Sequence, residues 1–149
     1  MKAFQFPLQR ALDWRRTQLE VAQARVQQQL AALTAIDNAR AELGSQGQRV
    51  EWEVRQFGQL QGGDLSALGE YRLNLKARAR QLAGERVECQ KELAARQNTM
   101  TEARRRCRLL ERLKARRLAE WQSAADRELD ELAADSYLAQ WARRESIPN

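Results

Sequence analysis

Apolar residues recur along the first part of the chain in alternating steps of three and four, and the phase does not change. A period of 3.5 is typical of the contact seam of a coiled coil. We therefore predict one long helix over about residues 8–60. Its seam positions, most of them apolar, are Leu12, Arg15, Leu19, Ala22, Val26, Gln29, Leu33, Ile36, Arg40, Leu43, Gly47, Val50, Val54 and Phe57.

The pattern stops at a glycine pair, Gly62-Gly63, which is followed by Asp64. Glycines end helices and form turns, and Asp64 or Ser66 is suited to cap a following helix. We predict a turn at 61–65 and a second helix over about 66–143. Its seam positions are Leu68, Arg72, Leu75, Ala79, Leu82, Arg86, Cys89, Leu93, Arg96, Met100, Ala103, Cys107 and Leu110.

The phase of the second seam slips near Lys114, as in a coiled-coil stutter. Two seams joined by a short turn should pack antiparallel. The predicted fold is therefore all-α, a long antiparallel two-helix coiled coil (an α-helical hairpin) that forms one domain over residues 1–149. The second helix outruns the first, so its stripe from about Leu118 onward should lack a partner within the chain. That stripe comprises Leu118, Trp121, Ala125, Leu129 and Leu132.

One stretch of the first helix is rich in glycine, namely Gly44-Ser45-Gln46-Gly47. Glycine inside a helix costs about 1 kcal/mol relative to alanine. The stretch predicts either a bend or a locally weak helix.

The composition excludes several classes of chemistry. The chain has no histidine, which removes imidazole bases and imidazole metal ligands. Cys89 and Cys107 are 18 residues apart, or roughly 27 Å along a helix. A disulfide needs Cα atoms within about 7 Å, so the two cysteines cannot form one within a continuous helix. No phosphate loop, metal-ligand spacing, membrane-spanning run or secretory h-region is present. We expect a cytoplasmic, non-enzymatic protein without a cofactor.

Charge is unevenly distributed in a chain of formal net charge +6. A basic cluster is followed directly by an acidic segment, broken only by Arg127. Such runs are typical of a solvated helix face, but this density also favours docking of an acidic partner, either protein or nucleic acid. The basic residues are Arg104, Arg105, Arg106, Arg108, Arg112, Lys114, Arg116 and Arg117, and the acidic residues are Asp126, Glu128, Asp130, Glu131 and Asp135.

Two groups of apolar residues lie off the seams. Trp52, Tyr71 and Leu73 should lie at one height along the hairpin, which indicates a partner-binding patch. A second group contains Phe4, Phe6, Leu8 and Trp14. Antiparallel pairing should bring it beside Leu113, Leu118 and Trp121, either as a staple that closes the open end or as a docking site.

Both ends of the chain resemble the flagellar export protein FliJ family. The opening Phe4-Gln5-Phe6-Pro7-Leu8-Gln9-Arg10-Ala11-Leu12, with Trp14-Arg15-Arg16, is similar to the start of that family. The stretch 110–117, LERLKARR, followed by 127–133, RELDELA, is similar to its C-terminal signature. The middle of the chain shows only heptads, and no residues match the family there.

The resemblance implies a cytoplasmic stalk of the flagellar type III export apparatus that is peripheral to the membrane only through the export gate. Implied partners are the export ATPase FliI hexamer, the ATPase regulator FliH, the cytoplasmic domain of the gate protein FlhA and the export substrate chaperones, but no nucleic acid. The gate contact would be Trp52, Tyr71 and Leu73. The ATPase-ring contact would be Phe4, Phe6, Leu8, Arg16, Arg112, Arg116, Arg117, Trp121, Glu128, Asp130 and Glu131.

Three other interpretations remain open at this point. A stalk protein of a virulence injectisome is the nearest, although the FQFPL start favours the flagellar version. A nucleic-acid-binding coiled coil would use the arginine run, but no stacking platform or groove-reading module accompanies it. A structural coiled coil that pairs its seams between two chains is the third.

Overall fold

The computed structural model describes residues 2–146 and contains two long helices. Helix α1 spans Gln9–Gln56 and helix α2 spans Gly62–Glu145. No strand occurs among the described residues. The all-α hairpin predicted from the two seams is confirmed.

The connection between the helices lies at 57–61, earlier than the predicted turn at 61–65, so both helix boundaries are corrected. Backbone amides of Asp64 and Leu65 donate to the Gln61 carbonyl at 3.0 and 3.1 Å, which starts α2 at Gly62. The Asp64 carboxylate accepts back from the Gln61 amide at 3.4 Å. The hydrogen bond from the Gln61 amide to the Asp64 side chain is one of the two bonds of a capping box. It places the glycine pair inside the first turn of α2.

Contacts divide the chain into two compact units, where the sequence predicts one domain. The loop unit is Gln18–Ala103, and the terminal unit combines Met1–Thr17 with Arg104–Asn149. In the loop unit, earlier residues of α1 contact later residues of α2, as antiparallel helices must. The cross-helix pairs are Glu51–Arg72, Asp37–Arg86, Gln29–Cys89 and Arg25–Arg96.

The predicted seams form the buried face of the loop unit. Ala22, Val26, Leu82 and Cys89 are buried. Gln29, a polar exception in the seam, is only 6% exposed. Its amide nitrogen donates at 3.1 Å to both the carbonyl and the Sγ of Cys89, so this buried polar group is satisfied.

The glycine-rich stretch lies within α1, which continues through Gly44 and Gly47 without interruption. A Cβ added at Gly47 would lie 3.5 Å from the Leu75 Cδ1, and a Cβ at Gly44 would meet nothing within 4 Å. A groove of about 620 Å³ lies here, lined in part by Ala41, Ala79 and both glycines. The stretch is therefore continuous but loosely packed helix.

In the terminal unit, the early residues of α1 pack against α2 at and beyond residue 104. Leu12 is fully buried, and Cys107 is buried as a free thiol. On α2 the covered positions then advance by two successive steps of four, through Leu110, Lys114 and Leu118, before Trp121 and Ala125. The predicted slip of the seam near Lys114 is therefore confirmed.

Candidate functional site

The N-terminal segment, residues 2–8, folds against α2 in the terminal unit. Trp121 makes two contacts with this segment. Its Nε1 donates to the Lys2 carbonyl at 3.2 Å, and its ring centroid lies 6.1 Å from that of Phe4 with an interplanar angle of 54°. Phe6 is buried, and its carbonyl accepts the Gln9 amide at 3.1 Å at the start of α1. The predicted staple is present in part, because Phe4 and Phe6 pack here whereas Leu8 and Trp14 are exposed. We call the contacts of Phe4, Phe6 and Trp121 the aromatic lock.

A groove of about 760 Å³ runs beside the aromatic lock. Its walls are residues 2–8 together with Leu113, Arg117, Glu120 and Trp121 of α2. Among these residues Leu8 is exposed, and Arg117 pairs with Glu120 at 3.3 Å. A largely apolar lining with a few charged residues suits a protein side chain or helix better than a polar small molecule.

Polar contacts between the helices fix the rest of this unit. The Lys114 ammonium donates to the Gln9 side-chain oxygen at 2.8 Å, and Arg16 lies 3.5 Å from Glu111. Burial raises the pKa of the Cys107 thiol. The Glu111 carboxylate raises that pKa further through its charge and its hydrogen bond with the thiol, while Arg16 opposes the shift. Burial and the raised pKa both disfavour the reactive thiolate form of Cys107.

The predicted ring-contact residues all belong to the terminal unit, but they differ in availability. Arg112 and Arg116 are exposed on α2. Arg16 and Arg117 are already ion-paired, although both stay partly exposed. Phe6 is buried, so it stabilises the aromatic lock. Contrary to the prediction, its side chain is not available on the surface to contact the ring.

The last part of α2, which we call the overhang (residues 126–145), is exposed throughout. The predicted start of this region at about Leu118 is wrong, because Leu118, Trp121 and Ala125 are half-buried. These residues are covered by the N-terminal segment, which is not helical. An extended residue spans about 3.3 Å and a helical residue only 1.5 Å, so the few residues before α1 reach as far along α2 as Trp121.

The overhang carries more apolar side chains than the seam pattern indicated. Five large apolar residues are 54–70% exposed there, in company with the predicted acidic residues Glu128, Asp130 and Glu131. Leu129 and Leu132 continue the seam and were expected. The others are Tyr137, Leu138 and Trp141, which the predicted stripe did not include. Aromatic residues near the end of a helix that lacks a partner would have indicated them.

The predicted gate patch lies in the loop unit and is only partly assembled. Trp52 is 63% exposed and Leu73 is similarly exposed, whereas Tyr71 is half-buried. Trp52 and Leu73 directly follow Glu51 and Arg72, which pair at 2.6 Å, so the predicted common height is correct. The groove beside Trp52 is lined only by α1 residues: Ser45, Gln48, Arg49, Trp52 and Glu53.

Two features are absent from the part of the chain that the structure describes, namely a cluster of metal-ligating side chains and a helix that could span a membrane. No group of three or more Cys, Asp or Glu side chains among residues 2–146 is arranged to hold a metal ion. Neither helix, over the same residues, has an apolar stretch long enough to cross a bilayer.

Comparisons with protein-family models, with curated proteins and with solved structures found no match.

Proposed function

We propose that this chain is a non-enzymatic component of the flagellar type III export apparatus that acts as the stalk of the export ATPase ring. The observation that carries the proposal is the overhang, a helix end with five large exposed apolar side chains that follows the basic cluster along α2. Exposed apolar residues of this number favour a protein partner. The resemblance of both chain ends to the FliJ family supplies the identity of that partner.

In this proposal the terminal unit enters the ring. The overhang and the groove beside the aromatic lock provide apolar contacts, while Arg112 and Arg116 meet acidic groups of the ring. Exposed ion pairs contribute only about 0–1 kcal/mol each. Many weak contacts would hold the stalk in the ring without trapping it in one position. Exposed Trp52 and Leu73 in the loop unit would contact the export gate, and FliH and the export chaperones are the further partners.

Stimulation of the export ATPase tests the ring contact. Reversing the charges of Arg112, Arg116 and Arg117 to glutamate should reduce stimulation while circular dichroism shows unchanged helix content. The matched control reverses Arg55, Arg78 and Arg80, which are exposed residues of the loop unit. Equal stimulation by both variants would contradict the basic contact. No stimulation by the native chain would contradict the function as a whole.

Binding to the cytoplasmic domain of the gate protein tests the second contact. Trp52→Ala should weaken that binding, because it removes the largest exposed side chain of the loop unit. Trp14→Ala removes an exposed tryptophan from the terminal unit and serves as the control. Similar affinities of the two variants for the gate would reject Trp52 as the contact.

A nucleic-acid-binding protein is the second candidate, favoured by the exposed arginines of α2. Binding of that kind weakens steeply as salt rises, because phosphate contacts release counterions. A chain with no measurable affinity for DNA or RNA at low salt would remove this candidate and leave the stalk proposal untouched.

A further inference from the structure

The slip of the α2 seam brings residues that are 18 positions apart onto the same side of the helix. Cys107 is buried and Ala125, 18 residues later, is half-buried. At 3.6 residues per turn, 18 residues make five full turns. An uninterrupted 3.5-residue period would have drifted away from the covered face over this distance.

The same spacing aligns opposite charges on the outward side of α2. Arg108 and Asp126 each follow one of these covered residues, and Arg112 and Asp130 lie four positions further on. All four side chains are exposed. Within residues 2–146, no ion pair joins any of the four to another residue.

Between the charged pairs, the surface is made of small side chains. Ala115, Ala119 and Ser123 are exposed and spaced by four residues. At 100° per residue, these three and the four charged residues fall within about 80° of the helix circumference. We call this strip the bipolar face. Small residues at its centre would let another helix approach to the short end of the usual 8–10 Å interaxial range.

We propose that the bipolar face binds the bipolar face of a second copy of this chain in antiparallel orientation. A two-fold axis near Ala119 places Arg108 opposite the partner's Asp130 and Arg112 opposite the partner's Asp126. The two-fold axis repeats both contacts, which gives four ion pairs in an isologous interface. The seam positions from Cys107 to Ala125 are not involved, since they are already buried or half-buried within one chain.

Charge order selects the second copy over other partners. A nucleic acid or an anionic lipid surface would meet Arg108 and Arg112 favourably but would be repelled by Asp126 and Asp130. A uniformly basic surface would be attracted to Asp126 and Asp130 but repelled by Arg108 and Arg112. A partner must carry both signs in reverse order along a helix, and this chain, turned around, does so.

The interface should be weak and sensitive to salt, because its ion pairs are exposed. Arg112 and Asp130 are also part of the proposed ring contact. Self-association and ring binding would therefore exclude one another, and only this last consequence rests on the proposed function.

Sedimentation equilibrium of the full chain tests the proposal. We expect a monomer–dimer equilibrium at about 0.1 M salt, and a dissociation constant roughly tenfold or more higher at about 1 M salt, where the Debye length falls from about 10 Å to about 3 Å. A native chain that remains monomeric at about 0.1 M salt up to its solubility limit overturns the proposal. So does a dimer that nuclease treatment dissolves, because nucleic acid then bridges the chains.

Charge swaps separate this interface from any other. Arg108→Asp with Arg112→Asp should be monomeric, and so should Asp126→Arg with Asp130→Arg, whereas an equimolar mixture of the two should form a heterodimer. The variant with all four changes should dimerise again. Arg78→Asp with Arg80→Asp, the same charge change in the loop unit, should dimerise like the native chain. Dimerisation of either two-residue variant alone, or failure of the four-residue variant, overturns the assigned pairing. The ATPase assay is independent, so a negative result here leaves the proposed function standing.

Discussion

Replacing Trp121 with alanine should release the N-terminal segment from α2. The indole donates to the Lys2 carbonyl at 3.2 Å, and its ring lies 6.1 Å from the Phe4 ring. Trp121→Ala removes both contacts. Trp121→Phe removes the hydrogen bond but keeps an aromatic ring opposite Phe4, so the two variants separate the contributions.

The size of the effect follows from these two contacts. A net hydrogen bond contributes about 1 kcal/mol, and a tilted aromatic pair contributes about 1 kcal/mol beyond its buried area. Losing about 2 kcal/mol should raise the ratio of released to docked segment roughly 30-fold, since 1.4 kcal/mol is a factor of ten. Losing only about 1 kcal/mol, as in Trp121→Phe, should raise the ratio roughly fivefold.

Hydrogen–deuterium exchange of the peptide covering residues 2–12 measures the released fraction. Exchange should be fastest in Trp121→Ala and intermediate in Trp121→Phe. Trp52→Ala, which removes an exposed tryptophan from the loop unit, should exchange like the native chain. A native exchange rate in Trp121→Ala would refute the aromatic lock, because the segment would then be held by other contacts.

Three further changes probe stability. Leu12→Ala should lower the free energy of unfolding by about 3 kcal/mol, because Leu12 is fully buried, whereas Leu73→Ala at an exposed site should cost under about 0.5 kcal/mol by denaturant titration. Gly44→Ala should raise the free energy of unfolding by up to about 1 kcal/mol, and Gly58→Ala, outside both helices, should give a smaller gain because it lacks the helix-propensity contribution. Burial raises the pKa of Cys107 above 9.0, so stability should be full below that pH and fall as pH rises through the folded pKa, because the unfolded thiol ionises first. Cys107→Ala should remove this decline, and an identical pH profile in that variant would contradict it.

The hydrophobic period determined most of the fold. Nearly every apolar seam position from Leu12 to Val54 is buried or half-buried, and the slip near Lys114 appears in the burial pattern as expected. These features are predictable because a helix repeats the same local geometry at each turn, so the spacing of apolar residues specifies the covered face directly.

The ends of the elements were less predictable. The connection moved to 57–61 because Asp64 bonds back to Gln61 and draws the glycine pair into α2. Glycine pairs mark a break, but the choice of the first helical residue depends on competing hydrogen bonds within a few residues.

Tertiary structure alone decided which distant residues meet. The pairing of Gln29 with Cys89 and the ion pair of Arg16 with Glu111 each join residues at least 60 positions apart. Such contacts depend on the longitudinal alignment of two helices, and the seam period is compatible with a shift by a whole heptad. Local periodicity therefore determines which side of each helix is covered, whereas the packing of both helices together decides what covers it.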